Sequence, residues 1–448
     1  MRKNVFLAMA LLTFIVAVLS AQTDSGGTPD LKYTLPKGAK GYSVDKGKVK
    51  SGAVVIPDSY NNMPVTAIAK KAFSTSAITS ITIPNSVTEI GDEAFKGCKN
   101  LTNIIIPDSV ITMGKNVFDG CGGLTGVIIG NSVIKIEKQA FNDCIGLTEI
   151  TIPDSVTVIE EQAFKGCTGL TGITIGNGVT GIGKQAFKGC KSLVSVTIPN
   201  GVTVIDEGTF DSCASLTNVT IPNGVTTIKG NPLIGGGAFN GCKSLTGITI
   251  PNSVTVIGNA AFSDTGLTSV TIPNSVTKIE LNSFANCKNL TAINFDAGNS
   301  AYISENGVWF NKNKTVLLRY PEGKTGAYTV PNGVTSIGDG AFNGCKGLTD
   351  ITIPNTVTNI GSYAFQYCSG LTSITIPNSV NSFGQHAFYS PLNQTLTSVT
   401  FQGPIINERY KLGDYGFSPF YGDLREKFLT WGPGTYTRPS NSDVWTRR

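Results

Sequence analysis

The feature that most constrains this chain is a segment that returns at a fixed interval. It reads LTNIIIPDSVITMGKNVFDGCGG at residues 101–123 and LTEITIPDSVTVIEEQAFKGCTG at residues 147–169. One phenylalanine marks each of thirteen copies, at positions 73, 95, 118, 141, 164, 187, 210, 239, 262, 284, 342, 365 and 388. From Phe95 to Phe210 every step is 23 residues. A period of this size predicts a solenoid, in which one coil of chain stacks on the next.

One copy predicts the path of one coil. In residues 147–152 the apolar residues Leu147, Ile150 and Ile152 alternate with polar ones, as in a strand with one buried face. Proline then ends the strand, because it has no N–H to donate to the next coil. The segment 161–164 is expected to form a short helical turn on the opposite side, closed by Gly166.

The unit L-x-x-I-x-I-P-[ND]-[SG]-V-x-x-I-x-x-x-A-F-x-G-C resembles the BspA-like, treponemal-type leucine-rich repeat of bacterial surface proteins. The resemblance covers about residues 53–401. It implies a β-rich repeat solenoid of horseshoe shape, with parallel strands on the concave face and short strands and helical turns elsewhere. It also implies a protein outside the cytoplasm that binds other proteins or cells.

The repeat divides the chain into segments. We expect a linker and N-terminal cap at residues 22–52, with short strands around 32–35 and 41–44. About 13 repeats follow at residues 53–401, and a C-terminal cap or tail occupies residues 402–448. Caps are required because an end coil would otherwise expose its core.

Residues 1–21 have the pattern of a secretory signal peptide. Two basic residues precede an apolar run, and small residues follow near Ala21. The apolar run is shorter than the ~20 residues that span a bilayer, which favours cleavage over an uncleaved anchor helix. We therefore expect a secreted protein or one on the outer surface of a bacterium.

Two interruptions break the period. Six extra residues lie between Phe210 and Phe239, and a loop is expected around 229–235. Between Phe284 and Phe342 there are 58 residues, 12 more than two periods. The segment near 296–328 is expected to contain a β-hairpin that turns at 311–314.

The composition disfavours several classes of function. Lys+Arg 35 against Asp+Glu 30 gives no field strong enough to indicate nucleic acid binding. The single histidine, His386, excludes a histidine-rich metal site, and the carboxylates share no catalytic pattern. The sequence thus predicts no enzyme, no cofactor and no metal site.

The ten cysteines form a single column of the repeat. Each lies three residues after the marker phenylalanine, from Cys98 to Cys368. Disulfides can form in an exported protein, but stacked side chains that point the same way are poorly placed to pair. Buried free thiols are the favoured interpretation, with disulfides as the alternative.

The outward strand positions are the candidate binding surface. One column is mostly threonine, and its candidate contact residues are Thr151, Thr174, Thr197, Thr220 and Thr249. Threonine also suits exposed strands for structural reasons alone, so the column is compatible with either role. Trp309 and Phe310 on the expected hairpin are the candidate hot spot, because hot spots favour aromatic residues.

These features predict a secreted or surface-displayed binding protein of adhesin type. The resemblance implies host matrix proteins, host cells or other bacteria as partners. The alternatives are an extracellular enzyme acting on glycans or peptides, and a passive structural or ice-type surface protein. The sequence leaves the ligand, the anchoring mode and the oligomeric state open.

Overall fold

The computed structural model describes residues 26–231, 236–388, 395–403, 423–440 and 442–448. The expected signal peptide at 1–21, part of the loop at 229–235 and much of the tail lie outside the described residues. The chain divides into two compact units, residues 1–202 and 203–448. Each unit is a β-solenoid built from parallel strands, which confirms the predicted fold class.

The described part of the first unit contains sixteen short strands. They are β1 (Lys32–Thr34), β2 (Tyr42–Asp45), β3 (Ser51–Val55), β4 (Ser59–Tyr60), β5 (Met63–Ile68), β6 (Ala77–Thr82), β7 (Glu89–Ile90), β8 (Asn103–Ile105), β9 (Thr112–Met113), β10 (Gly126–Ile128), β11 (Lys135–Ile136), β12 (Glu149–Ile152), β13 (Val158–Ile159), β14 (Gly172–Ile175), β15 (Gly181–Ile182) and β16 (Ser195–Thr197).

Each regular coil contributes one longer strand and one strand of two residues. In the coil that starts at Leu147 these are β12 and β13. Leu147, Ile150 and Ile152 are buried and Thr151 is exposed, so the predicted inward and outward positions of the strand are confirmed.

The register between coils equals the sequence period. β12 pairs in parallel with β14, which places Thr151 beside Thr174, and β13 pairs with β15 in the same way. Equivalent residues of successive coils therefore lie side by side, which is the condition for continuous columns of like residues.

The marker phenylalanines form a continuous buried row in the first unit. The ring centroids of Phe141 and Phe164 lie 5.1 Å apart, and those of Phe164 and Phe187 lie 5.4 Å apart, with nearly parallel planes. All three side chains have no exposed surface. Parallel rings at this distance are a favourable stacked arrangement, and each ring closes the core over its neighbour.

The segment 161–166, which follows the two-residue strand, does not form the expected helical turn. Gln162 has φ +59 and Gly166 has φ +75, both in the left-handed region. The N–H groups of Gln162, Phe164 and Gly166 donate to carbonyls of the next coil at 2.8–2.9 Å. A helix would direct these groups to its own preceding turn, so the segment is a sequence of tight turns paired to its neighbour.

The N-terminal residues form two antiparallel hairpins against the first coil. β1 pairs with β2, and β2 pairs in parallel with β5, so the two strands expected in this region are present. β4 pairs with β5 across a two-residue turn at Asn61 and Asn62, with φ +47 and +59. Positive φ at both central positions defines a type I′ turn, which asparagine adopts readily.

The described part of the second unit contains nineteen strands and one helix. They are β17 (Val204–Ile205), β18 (Asn218–Thr220), β19 (Thr227–Ile228), β20 (Val256–Ile257), β21 (Ser269–Ile272), β22 (Lys278–Ile279), β23 (Ala292–Phe295), β24 (Tyr302–Glu305), β25 (Val308–Asn311), β26 (Val316–Arg319), β27 (Gly326–Thr329), β28 (Ser336–Ile337), β29 (Leu348–Thr352), β30 (Asn359–Ile360), β31 (Ser373–Ile376), β32 (Ser382–Phe383), β33 (Ser398–Phe401), α1 (Leu424–Trp431), β34 (Gly434–Thr437) and β35 (Thr446–Arg447).

The six extra residues after Phe210 do not break the core of the second unit. Phe239 stacks on Phe210 at 5.4 Å, and Phe262 stacks on Phe239 at the same distance. The phenylalanine row is therefore continuous across this interruption.

The longer interruption is an antiparallel insertion followed by a substituted coil. β24 pairs with β25 and β25 with β26, and the expected hairpin is present between the last two. Tyr320 then takes the place of the marker phenylalanine, because its ring stacks on Phe342 at 5.1 Å. All the extra residues consequently belong to the single coil between Phe284 and Tyr320.

The last repeat strand is covered by the C-terminal residues. β34 pairs antiparallel with β33, and β35 pairs with β34. Phe401, Phe428 and Tyr436 pack together with ring centroids 4.5–6.3 Å apart. Antiparallel pairing at the end of a parallel stack gives the last strand a partner that is not another repeat, as a cap requires.

Candidate interaction surface

The strand face is the set of outward residues on the longer strand of each coil. In the first unit, Thr151, Thr174 and Thr197 lie on β12, β14 and β16, and all three are exposed. Glu149 is the charged residue of these three strands. The sequence thus brings together a nearly uncharged surface with one hydroxyl per coil.

Two other threonine columns of the first unit use their hydroxyls within the fold. The Thr171 hydroxyl donates to the backbone oxygen of Thr148 at 3.0 Å, and the Thr180 hydroxyl donates to that of Thr157 at 3.3 Å. These hydroxyls connect successive coils, so they have a structural role.

The hydroxyls of Thr151, Thr174 and Thr197 form no side-chain hydrogen bond with any residue that the structure describes. They are therefore free to bond a partner. The sequence could not separate the threonine columns, because the distinction depends on where each carbonyl of the preceding coil lies.

The strand face changes character in the two coils before Thr151. Ile105 and Ile128 occupy the position that threonine holds elsewhere, and they are direct neighbours in the register of β8 and β10. Both are partly exposed. The first unit therefore presents a small apolar area beside the hydroxyl column, an arrangement that resembles the apolar centre and polar surround of protein interfaces.

The predicted threonines of the second unit are also exposed. Thr220 lies at the end of β18, and Thr249 lies in a segment, 245–250, that forms no strand. Neither hydroxyl forms a side-chain hydrogen bond within the described residues. Thr249 thus lacks the strand support that fixes Thr151.

Trp309 and Phe310 are not available as a contact surface, which corrects the sequence expectation. Trp309 is 1% exposed and Phe310 is completely buried. Trp309 packs against Tyr302 and Phe295 with ring centroids 5.3 and 5.8 Å away, while Phe310 joins the core of the following coils. The hairpin is packed on both faces, so both aromatic residues stabilise the insertion.

Comparison with known proteins agrees with this geometry. The BspA type leucine rich repeat region matches residues 66–152, 134–233, 230–315 and 320–418. The chain belongs to the BspA-type leucine-rich repeat family. No curated protein sequence matches it significantly.

Solved structures of bacterial leucine-rich repeat proteins are similar to the chain. A leucine-rich repeat protein from Bacteroides ovatus is 26% identical, with a TM-score of 0.60, over 84% of this chain and 88% of that one. A leucine rich cell surface protein from Faecalibacterium prausnitzii is 24% identical, with a TM-score of 0.44, over 83% and 87% of the two chains. The first of these likenesses supports the same fold over most of the molecule.

In the part of the chain that the structure describes, no cluster of three or more potential metal ligands occurs. The single histidine, His386, is half-buried and stacks on Tyr363 with ring centroids 5.5 Å apart. The described residues also contain no helix with the length and apolar character needed to cross a membrane.

The cysteine column of the BspA-type repeats consists of free, buried thiols, as predicted. The thiols share one contact, in which Sγ–H donates to the backbone oxygen of the marker residue one coil back, as in Cys167 to Phe141 at 3.0 Å. Burial raises the pKa of Cys121 and of Cys167 to about 12. These thiols remain protonated at neutral pH, so they act as small apolar residues with one weak donor.

A groove of about 430 Å³ lies between the N-terminal hairpin and the two-residue strands of the first coils. Ser43, Glu89 and Thr112 line it, together with Lys70 and Asp92, whose charged groups are 3.9 Å apart. The groove is lined by charged side chains, whereas the strand face presents a column of unpaired hydroxyls and is the candidate interaction surface.

Proposed function

We propose that the protein is exported and binds other proteins at a cell surface through its strand face. Its partners would be host matrix proteins or surface proteins of host or bacterial cells, and the contact would serve adhesion. The observation that carries the proposal is the column of unpaired hydroxyls at Thr151, Thr174 and Thr197 on a nearly uncharged face. An extended face of this kind is how repeat proteins bind large partners.

The chemistry of the strand face favours a protein partner over a highly charged one. Hydroxyls spaced one coil apart can donate to and accept from backbone and side-chain groups of a partner. The neighbouring Ile105 and Ile128 add apolar area that a partner can cover. One acidic residue, Glu149, gives little attraction for a polyanion or a polycation.

Two matched double variants test the proposal. Thr151→Val with Thr174→Val removes two unpaired hydroxyls from the strand face while keeping the β-branched shape. Thr157→Val with Thr180→Val also removes two hydroxyls from the same coils, but at exposed positions just before the two-residue strands, where these hydroxyls bond backbone oxygens of the preceding coil. Binding of both variants to a panel of immobilised matrix proteins and to whole bacterial cells would be compared by biolayer interferometry.

We expect the strand-face variant to bind about tenfold more weakly, since two lost hydrogen bonds are together worth ~1–3 kcal/mol. The control variant should bind as the unmodified protein does. Equal binding by both variants would show that the strand face is not the contact surface. Absence of binding to every protein and cell of the panel would count against adhesion itself.

A further inference from the structure

Three tyrosines form a partly exposed aromatic cluster on the N-terminal hairpins, away from the strand face. The rings of Tyr33 and Tyr60 stack with centroids 4.0 Å apart and planes 11° apart. Tyr42 meets both rings edge to face, at 6.4 Å from Tyr33 and 5.2 Å from Tyr60. Tyr60 keeps 40% of its surface exposed. The cluster therefore presents an aromatic platform to solvent.

A cap alone does not require this arrangement. Val44 and Val65 on β2 and β5 already close the first coil, and both are completely buried. A ring that served only to cover them would itself be buried. Tyr60 instead is exposed at the end of β4, while its ring stacks on Tyr33.

Polar groups beside the platform are unsatisfied. Within the described residues, neither the hydroxyls of Tyr33, Tyr42 and Tyr60 nor the side-chain amides of Asn61 and Asn62 form a hydrogen bond. Both asparagines are exposed and directly follow Tyr60 in the tight turn. Planar amides offer two donors and an acceptor each, and the phenols add further donors and acceptors.

The same region is strongly basic. Residues 26–50 contain six lysines and two aspartates. Lys32 pairs with Asp45 at 3.5 Å, and Lys46 donates to the backbone oxygen of Ser74. Lys37 and Lys40 lie in the turn between β1 and β2, are exposed, and make no ion pair with a described residue.

We propose that this aromatic and basic surface binds an acidic polysaccharide. An exposed aromatic face accepts the C–H face of a pyranose ring, because the π surface carries partial negative charge. The amides of Asn61 and Asn62 can bond the ring hydroxyls, and the ammonium groups of Lys37 and Lys40 attract its carboxylates. The site lies outside the strand face and is independent of the function proposed above.

The turn at Asn61 and Asn62 allows a variant that removes the amides without disturbing the fold. Their φ values of +47 and +59 are ones that glycine adopts without strain. Asn61→Gly with Asn62→Gly thus keeps the type I′ turn. Tyr60→Ala removes the platform, and Lys37→Gln with Lys40→Gln removes two charges. Lys48→Gln with Lys50→Gln is the matched charge control, since both lysines are exposed beyond the opposite end of the hairpin.

Isothermal titration of the full chain with three probes tests the proposal. Hyaluronan decasaccharide carries pyranose rings and carboxylates, a dextran of equal length carries rings without charge, and polyglutamate carries carboxylates without rings. We expect hyaluronan to bind, dextran to bind at least tenfold more weakly, and polyglutamate not to bind. The glycine, alanine and Lys37/Lys40 variants should each weaken hyaluronan binding about tenfold, and the lysine control should leave it unchanged.

Several outcomes would overturn the proposal. One is equal binding of polyglutamate and hyaluronan with no effect of the glycine variant, which would indicate simple charge attraction. Another is the absence of hyaluronan binding. If Tyr60→Ala lowers the thermal midpoint, the glycine variant with its retained turn decides the question. Loss of matrix-protein binding in the Thr151 and Thr174 variant leaves this result unaffected.

Discussion

The rings of Phe141 and Phe164 lie 5.1 Å apart with planes that differ by 4°, although 23 residues separate them along the chain. This contact is repeated in the first unit from Phe73 to Phe187 at 5.1–5.6 Å. Because each ring has a like neighbour above and below, the coil is stabilised by its position in the stack rather than by its own contacts.

Replacing one ring of this row should destabilise the first unit strongly. Phe164→Ala should lower the free energy of unfolding by ~3–5 kcal/mol, as expected for a buried phenylalanine whose cavity cannot collapse. Urea unfolding followed by circular dichroism measures the change. Glu149→Ala, at an exposed position of the same coil, should stay within ~0.5 kcal/mol of the unmodified protein. A near-neutral Phe164→Ala would show that the ring is not part of a packed row.

The thiol column makes the stability of the protein sensitive to alkaline pH. Burial raises the pKa of Cys121 and Cys167 to about 12, from an ordinary value near 9. A thiol that holds its proton more tightly in the folded chain stabilises the fold fully below pH ~9, and this contribution is lost as the pH rises towards 12. Urea midpoints should therefore fall steeply above pH 9.

A double variant separates the thiols from other alkaline groups. Cys144→Ala with Cys167→Ala removes two of the buried thiols, so its stability should fall with pH less steeply, by up to ~2.7 kcal/mol per pH unit. In the native protein at pH 8, no buried thiol should react with Ellman's reagent within the time in which unfolded protein reacts completely. Rapid native reaction, or the same pH slope in both proteins, would contradict this account.

Equivalent glutamines in the tight turns of three successive coils are hydrogen-bonded to one another and have a left-handed backbone conformation. The Gln139 amide donates to the Gln162 side-chain oxygen at 2.9 Å, and Gln162 donates to Gln185 at 2.7 Å. Gln162 and its two neighbours all have φ between +55 and +59. Side chains at such positions must tolerate the left-handed region, which β-branched residues do not.

Gln162→Gly and Gln162→Val should therefore differ in stability. Both variants lack the amide, so the difference between their free energies of unfolding reports the cost of the backbone conformation. We expect the valine variant to be less stable by ~1–3 kcal/mol. The order should reverse at Thr151, an exposed strand position, where Thr151→Gly should be less stable than Thr151→Val. Thermal unfolding of the four variants gives both comparisons. The same order at both sites would mean that residue 162 is not held in the left-handed region.

The repeat period predicted the core well because equivalent residues of successive coils lie in the same environment. It assigned the buried and exposed positions of β12 and the free thiols correctly. It did not predict the non-helical turn at Gln162, since adjacent coils supply the hydrogen-bond partners there. The turn at Asn61 and Asn62 had a signal in its two asparagines, which the irregular first repeat concealed.

The candidate site was predicted in part. The exposed threonine column follows directly from strand alternation, but the burial of Trp309 does not. That side chain packs against Phe295 and Tyr302, which belong to the coil before the hairpin and to its partner strand. Sequence spacing alone cannot show that an insertion is packed on both faces. The sequence also does not identify Tyr320 as the substitute for the marker phenylalanine, because the insertion makes the spacing after Phe284 irregular.

The substituted coil contains a buried ion pair. Arg319 and Glu322 pair directly, with side chains 6% and 5% exposed. The Arg319 guanidinium also donates to the backbone oxygen of Gly340 at 2.7 Å, and Glu322 accepts from the N–H of Asn286 at the same distance. The pair thus connects the coil before the insertion with the coil after it.

Removing one partner of this pair should be more harmful than removing both. Glu322→Ala leaves the Arg319 charge buried and should cost ~3–5 kcal/mol, whereas Arg319→Met with Glu322→Leu should cost less. Burial raises the pKa of Glu322, and Arg319 opposes this effect. The carboxyl therefore stabilises the fold most below its unfolded pKa of about 4.5, and less as the pH rises. Relative to Glu322→Gln, the unmodified protein should lose stability as the pH rises from about 4.5. A rise in stability with pH in urea unfolding would mean that Arg319 outweighs burial.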